Sequence, residues 1–321
     1  MSAPKLDDEA GRLAALGRYD ILDTGIEDEF EQIVQLVQKV FDVPMAAVTL
    51  IDADRQWFKA KRGLGLAHTP RNIAFCHHTI AAADGLSVED AEADPRFAGT
   101  AMVVGDPNIR SYLGAPLRTP DGYQVGALCI ISNQTRRFSV ADREILRRFS
   151  EIVVSQMEMR QLANHDSLTG TLTRRAFDQQ AFECIEAFRR HRTVQAMVVL
   201  DIDHFKHIND AHGHGCGDNV LKAVAATLRD RLGPCAVIGR LGGEEFGVLL
   251  VDDEAADVLA VAEMLRAAVA ATMVAGLPQI TTSIGVATLA PGVTTVDDWL
   301  RIADAALYAA KAGGRNRVVS G

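Results

Sequence analysis

Residues 30–41 place apolar side chains at helical spacing among charged and amide residues, which predicts an amphipathic helix. Residues 44–51 follow as an almost unbroken apolar run, the mark of a buried strand, and 52–55 read as a turn. Residues 56–61 then supply its hairpin partner, and 112–117 with 124–131 form a second strand pair around Thr119, Pro120, Asp121 and Gly122. Helices combined with antiparallel hairpins predict an α+β domain. A long helix is expected over residues 139–163. Ile145, Phe149, Ile152, Gln156 and Met159 alternate spacings of four and three along it, the a/d seam of a coiled coil. The helix either packs on its own domain or pairs in parallel with a second copy, and the seam's extension past the domain's last strand favours pairing. Beyond it, residues 196–200 are continuously apolar and predict a central strand buried on both faces. Two short apolar strands, 236–238 and 246–250, flank Gly242 and Gly243, a pair suited to the positive φ of a tight hairpin turn.

A length of 321 residues points to two domains, and 48% hydrophobic with 23% charged residues is ordinary for a soluble globular protein. No apolar run reaches membrane-spanning length and the first residues lack a signal-peptide core, so a cytoplasmic location without membrane contact is expected. Cys76, Cys129, Cys184, Cys216 and Cys235 are scattered, which argues against a disulfide framework or a cysteine zinc site. A net charge of −9 disfavours nucleic-acid binding but leaves room for a small phosphorylated ligand.

The candidate chemistry lies in the second half. Glu244 and Glu245 directly follow the two glycines, where open backbone beside carboxylates suits a divalent cation shared with phosphates. The buried strand ends in Asp201, Ile202 and Asp203, and a carboxylate there needs a cation or hydrogen bonds. Asp203 is expected to cap the next helix, leaving Asp201 as the metal candidate. Residues 211–218 form a glycine-rich loop that serves either an anion at the following helix N-terminus or, through Asp218, as a simple N-cap. His207, His212 and His214 match no zinc spacing.

With these stretches in order, residues 163–321 resemble a GGDEF domain, the diguanylate cyclase family. The resemblance rests on 165–170, Asp201 to Lys206, Asn209-Asp210, Gly213-His214, Gly217-Asp218, Gly242 to Phe246, Ala306 to Tyr308, and Lys311 through Arg317. It implies a palm-like α+β fold and condensation of two GTP molecules into cyclic di-GMP with release of pyrophosphate, in a homodimer. It also implies two Mg²⁺ or Mn²⁺ ions held by Asp201, Glu244 and the Ile202 carbonyl, with Glu245 in support. Asn209 and Asp218 resemble the guanine readers, and Asp218 favours GTP over ATP without excluding ATP. Lys206, Lys311 and Arg315 resemble the phosphate-binding cations, Gly242 and Gly243 leave space for the nucleotide, and Phe205 and His214 join the substrate-binding set.

Thr171 and Thr173 depart from the family's usual apolar residue and asparagine, and residues 233–236 lack both charges of its R-x-x-D product-binding motif, so feedback through that site is not expected. Residues 13–157 resemble a GAF domain, through 54–59, 75–80, 94–97 and 112–117. That resemblance implies a small-molecule sensor or a dimerisation module. Cys76 beside His77 and His78 reads as a buried thiol at a helix start in preference to a metal, haem or chromophore site. The expected organisation is a GAF domain over 13–138, a signalling helix over 139–163 and the cyclase domain over 164–321. The competing reading is a non-catalytic receptor for GTP or cyclic di-GMP. An unrelated metal hydrolase would leave Asn209, Lys311 and Arg315 without roles.

Overall fold

The computed structural model describes residues 5–232, 236–251, 255, 257–277 and 279–321. It divides into two compact units, Met1–Gln161 and Leu162–Gly321. In the first, the chain runs α1 (Glu9–Gly17), α2 (Asp28–Phe41), β1 (Met45–Ile51), β2 (Arg55–Arg62), β3 (His68–Pro70), α3 (Phe75–Ile80), β4 (Leu86–Val88), α4 (Ala101–Val104), β5 (Ser111–Arg118), β6 (Gln124–Ser132) and α5 (Val140–Asn164). The strands form an antiparallel sheet in the order β3-β2-β1-β6-β5-β4.

The alternation along β1 explains why this sheet is covered on both sides. Ala46, Val48 and Leu50 point into one core with Phe30 and Val34 of α2 and Leu146, Val153 and Met157 of α5. Met45, Ala47 and Ile51 point into the other with Phe75, Cys76 and Ile80 of α3. The second core is filled: the rings of Phe75 and Phe97 stack at 3.9 Å, and the Cys76 and Cys129 sulfurs lie 3.8 Å apart. Cys76 is a buried thiol near the start of α3. Helix α5 opens with a reciprocal cap, in which the Asp142 N–H donates to Ser139 Oγ and the Ser139 N–H to Asp142 Oδ2.

The second unit runs β7 (Leu172–Thr173), α6 (Arg174–His191), β8 (Gln195–Ile202), α7 (Phe205–His212), α8 (His214–Arg231), β9 (Val237–Arg240), β10 (Glu245–Val251), α9 (Val258–Ala271), β11 (Thr282–Thr288), α10 (Val296–Ala312) and β12 (Val318–Ser320). Its sheet order is β12-β11-β8-β10-β9-β7, antiparallel at the centre with parallel pairs at both edges. Both units are α+β. Every residue of β8 is buried, as a central strand requires. Ala196, Val198, Leu200 and Ile202 enter one core with α8 and α9, and Met197 and Val199 the other with α6 and α10. Glycines set the close approaches on that second face. A Cβ at Gly285 of β11 would stand 2.1 Å from the Ala303 carbonyl oxygen, so α10 lies directly on the strand.

Three local expectations change. The hairpin glycines Gly242 and Gly243 do not adopt positive φ; the turn spans residues 241–244, and the Leu241 N–H donates to the Glu245 carbonyl at 2.8 Å. Asp203 does not cap α7. The N-cap is His204 at φ +59°, and the Asp203 carboxylate turns inward to Thr281, Ser283 and the Asn316 N–H. Nor is 211–218 an open loop capped by Asp218: α7 and α8 meet at Gly213, whose φ of +83° makes the corner, and Asp218 lies inside α8. Residues 233–235, most of the stretch expected to lack the product-binding charges, lie outside the described residues, as does Cys235.

Candidate active site

Strand β8 delivers Asp201 to the sheet's end on the face shared by Met197 and Val199, the side that α10 covers. Register places Glu245 of β10 opposite Asp201 on one side and Ser283 of β11 on the other. Like charges directly opposite one another across a ladder are destabilising. Here a cation intervenes: Lys311 Nζ, from the last turn of α10, pairs with Asp201 Oδ2 at 2.7 Å. Burial pushes the Asp201 carboxyl above its ordinary range, and Lys311 pulls it back part of the way. Burial also raises Glu245, with the Asp201 charge next in weight.

The turn before Glu245 is held from two sides. Ile202 N–H donates to the Glu244 carbonyl at 3.3 Å. Arg240 Nη2 donates to the Gly243 carbonyl at 2.7 Å, and its Nη1 contacts both Asp166 oxygens at 3.2 Å. Burial would raise the Asp166 carboxyl, but hydrogen bonds from Thr169 and the Arg240 charge outweigh it and hold the group low. Around Gly243 a Cβ would meet nothing within 4 Å, whereas at Gly242 it would press on Glu245 Oε2 at 2.9 Å. The turn is thus open at one glycine, and the other accommodates the Glu245 side chain.

A second cluster forms at the α7–α8 corner. Gly217 has no side chain, and a Cβ there would fall 2.0 Å from Asn209 Oδ1 and 3.1 Å from the Phe205 ring. Asn209 therefore lies against the backbone of α8 next to Asp218, which is exposed. Phe205 is buried beneath them in the core. Lys206 and His214 are exposed on α7 and at the start of α8. Among the described residues the cation paired with Asp201 is Lys311.

The donor set fits a hard divalent cation. Asp201 and Glu245 present carboxylate oxygens at neighbouring positions, the ligand type of Mg²⁺, which is often bound by one or two carboxylates plus substrate phosphates. The raised Asp201 and Glu245 carboxyls are a physical reason for a cation to bind there. Among the described residues, no three or more histidine, cysteine, aspartate or glutamate side chains form a fuller cage.

Residues 163–317 match the family described as diguanylate cyclase, GGDEF domain. The solved coiled coil and GGDEF domain of DgcB from Caulobacter crescentus, in complex with c-di-GMP, is 31% identical. It is covered over its full length by 57% of this chain, with a TM-score of 0.51. The chain carries a GGDEF domain. Ahead of that domain, residues 25–157 match the GAF domain family. Among curated relatives, diguanylate cyclase DgcM of Escherichia coli is 39% identical over 167 residues, 51% of this chain and 40% of its own length. A cyclic di-GMP phosphodiesterase of Pseudomonas aeruginosa is 29% identical over 310 residues, 93% of this chain and 51% of its own length. The chain thus spans about half or less of these two relatives. Diguanylate cyclase DgcP of E. coli is 27% identical over 312 residues, 89% of this chain and 90% of its own length. Among the described residues no helix of either domain is long and apolar enough to cross a membrane.

The GGDEF-domain residues that sequence reasoning left without a role are Arg240, Asp166, Thr281, Ser283 and Gly285. A run of hydroxyl residues at 281–283, within and just ahead of an apolar strand, is the sequence signal for the donors that meet the Asp203 carboxylate at the strand end.

Proposed function

We propose that this chain is a diguanylate cyclase, which condenses two GTP molecules into cyclic di-GMP and releases pyrophosphate. The observation that carries the reading is the Asp201–Glu245 carboxylate pair at the end of β8, with Lys311 drawn against it, inside a GGDEF domain. In the reaction, the 3′-hydroxyl of each nucleotide loses its proton and bonds to the α-phosphorus of the other as the bond to the bridging oxygen breaks, so two phosphodiester bonds form and two pyrophosphates leave. Asp201, Glu244 and the Ile202 carbonyl would hold two Mg²⁺ or Mn²⁺ ions, with Glu245 beside them. When bound, such ions stabilise the entering and leaving oxygens. Lys311, Arg315 and Lys206 set positive charge against the terminal phosphates, offsetting charge on the leaving group. Asn209 and Asp218 read guanine, whose N1–H and N2–H₂ are donors for a carboxylate. Phe205 supports that corner from below, and His214 flanks it.

One domain holds one GTP, so two must face each other. The GAF domain governs this encounter through α5, in response to a small ligand or by pairing alone. One observation favours a second reading, a nucleotide receptor: the relative aligned over 93% of the chain is named for phosphodiesterase activity.

Incubation of the protein with GTP and Mg²⁺, with products identified by chromatography and mass, tests the proposal against Glu244→Gln. Cyclic di-GMP from the parent and at least a hundredfold less from the variant is expected, on the order of 3 kcal/mol of transition-state stabilisation. Product at parental rate from the variant would remove Glu244 from the metal site. GTP binding without product, in a folded dimer, would favour the receptor.

A further inference from the structure

We propose that Asp203 is a positioning residue for the phosphate-binding loop, an inference that rests on the GTP site described above. Asp203 follows the last residue of β8, is 5% exposed, and lies two residues beyond Asp201. Its carboxylate gathers three donors from distant parts of the chain. Ser283 Oγ donates to Oδ1 at 2.7 Å, and Thr281 Oγ1 donates to Oδ2 at 2.7 Å. The third donor is the Asn316 backbone N–H, 3.0 Å from Oδ2. Its own N–H donates to the Thr281 carbonyl at 2.9 Å.

The Asn316 contact is the informative one. Gly314, Arg315 and Asn316 take φ values of +112°, +62° and +45°, a left-handed run in which two residues carry a Cβ. Side-chain-bearing residues adopt that conformation only when surrounding contacts impose it. Other contacts besides Asp203 help to do so. Arg315 N–H donates to the Ala310 carbonyl at 3.1 Å, Arg266 Nη1 to Asn316 Oδ1 at 2.8 Å, and Ile284 N–H to the Arg317 carbonyl at 2.9 Å. Among the described residues, Asp203 is the one whose side chain ties this loop to the end of the strand that carries Asp201. The loop follows directly on the last turn of α10, where Lys311 Nζ pairs with Asp201 Oδ2 at 2.7 Å, and it carries Arg315. Asp203 thereby fixes the distance between the phosphate-binding cations and the carboxylates. A carboxylate suits the position because both of its oxygens accept, whereas a hydroxyl is too short to reach strand and loop together.

The test compares binding of 3′-deoxy-GTP, which lacks the attacking hydroxyl, with binding of GMP, which lacks the terminal phosphates, both in Mg²⁺. Asp203→Ala is expected to weaken 3′-deoxy-GTP about tenfold or more and to leave GMP within about twofold. Arg315→Ala should give the same selective loss, with no further loss in the double variant. Asp203→Asn should stay near the parent, because its amide oxygen accepts from Asn316 while its NH₂ donates to Ser283. If Asp203→Ala does not fold, Asp203→Ser, whose hydroxyl stops short of the loop, takes its place. Equal weakening of both ligands, or of neither, would overturn the positioning role. A parent that binds neither ligand would overturn the GTP-site reading and this inference with it.

Discussion

Gly217 is where one missing atom decides the geometry of the proposed guanine site. A Cβ there would overlap Asn209 Oδ1, the end of a side chain that can swing away, so Gly217→Ala displaces Asn209 without unfolding the domain. Gly217 sits within α8, where alanine is favoured over glycine by about 1 kcal/mol. The two effects have opposite signs. Gly217→Ala should keep or raise the melting temperature while GTP affinity falls about tenfold, as expected for one misplaced hydrogen bond to a base. Melting curves beside GTP titrations check it, and unchanged affinity would remove Asn209 from the guanine site. The residues proposed to carry the chemistry stand out in the sequence because an acid at the end of an apolar strand and a Gly-Gly-Glu-Glu turn are local patterns, and the sheet register sets Asp201 opposite Glu245. Asp203 was misread for a physical reason. Two of its hydroxyl partners lie about 80 residues away on another strand, and local spacing offered only a capping role.

At the scale of elements, packing of α10 on the sheet determines whether Lys311 meets Asp201. Gly285 permits that packing; a Cβ would meet the Ala303 carbonyl at 2.1 Å and the Leu307 nitrogen at 2.3 Å, both backbone atoms that cannot turn aside. Gly285→Ala should therefore destabilise the GGDEF domain by about 1–3 kcal/mol, the usual size of overpacking. Cyclase activity should fall even at temperatures where the variant remains folded, since Lys311 moves with the helix; full activity in a destabilised variant would separate Lys311 from catalysis. In the first unit, α1 is fastened by Glu9, which pairs with Arg12 and with Arg71. Hydrogen bonding from Arg12 leads the shift that brings the Glu9 carboxyl down from 4.5 to about 2. Because the folded value is depressed, the stabilisation is complete above pH ~4.5 and is lost as pH falls toward 2. Glu9 is about half exposed, so screening limits the effect to under about 1 kcal/mol. The melting-temperature gap between parent and Glu9→Gln should close over that acid range, and a gap constant from pH 7 to 2.5 would contradict it. Strands β1, β2, β5, β6 and β8 were readable from hydrophobic runs and turn residues. The α7–α8 corner was not, because glycines and histidines inside a helix start look like loop.

For the whole molecule, the decisive element is the face of α5 that its own domain leaves open. Leu146, Ser150, Val153 and Met157 are buried on the GAF side, while Ile152 and Met159 remain 51% and 57% exposed and Ile145 39%. Phe149, also in the expected seam, is half-buried and packs against that core, so the two readings of this helix share one edge and part at Ile145, Ile152 and Met159. Periodicity could reveal an apolar seam but not which of two adjacent stripes the domain had already covered. Since each active site is proposed to hold one GTP, activity per chain should rise with protein concentration and level off once pairing is complete. Ile152→Glu with Met159→Glu places like charges where the two copies would meet, and should shift that rise to at least tenfold higher concentration. Both positions are exposed, so the GAF domain's melting temperature should change little. Sedimentation velocity run beside the activity series distinguishes the outcomes. If the variant's activity per chain matches the parent's at every concentration, α5 is not the pairing surface, and the cyclase domains must meet without it.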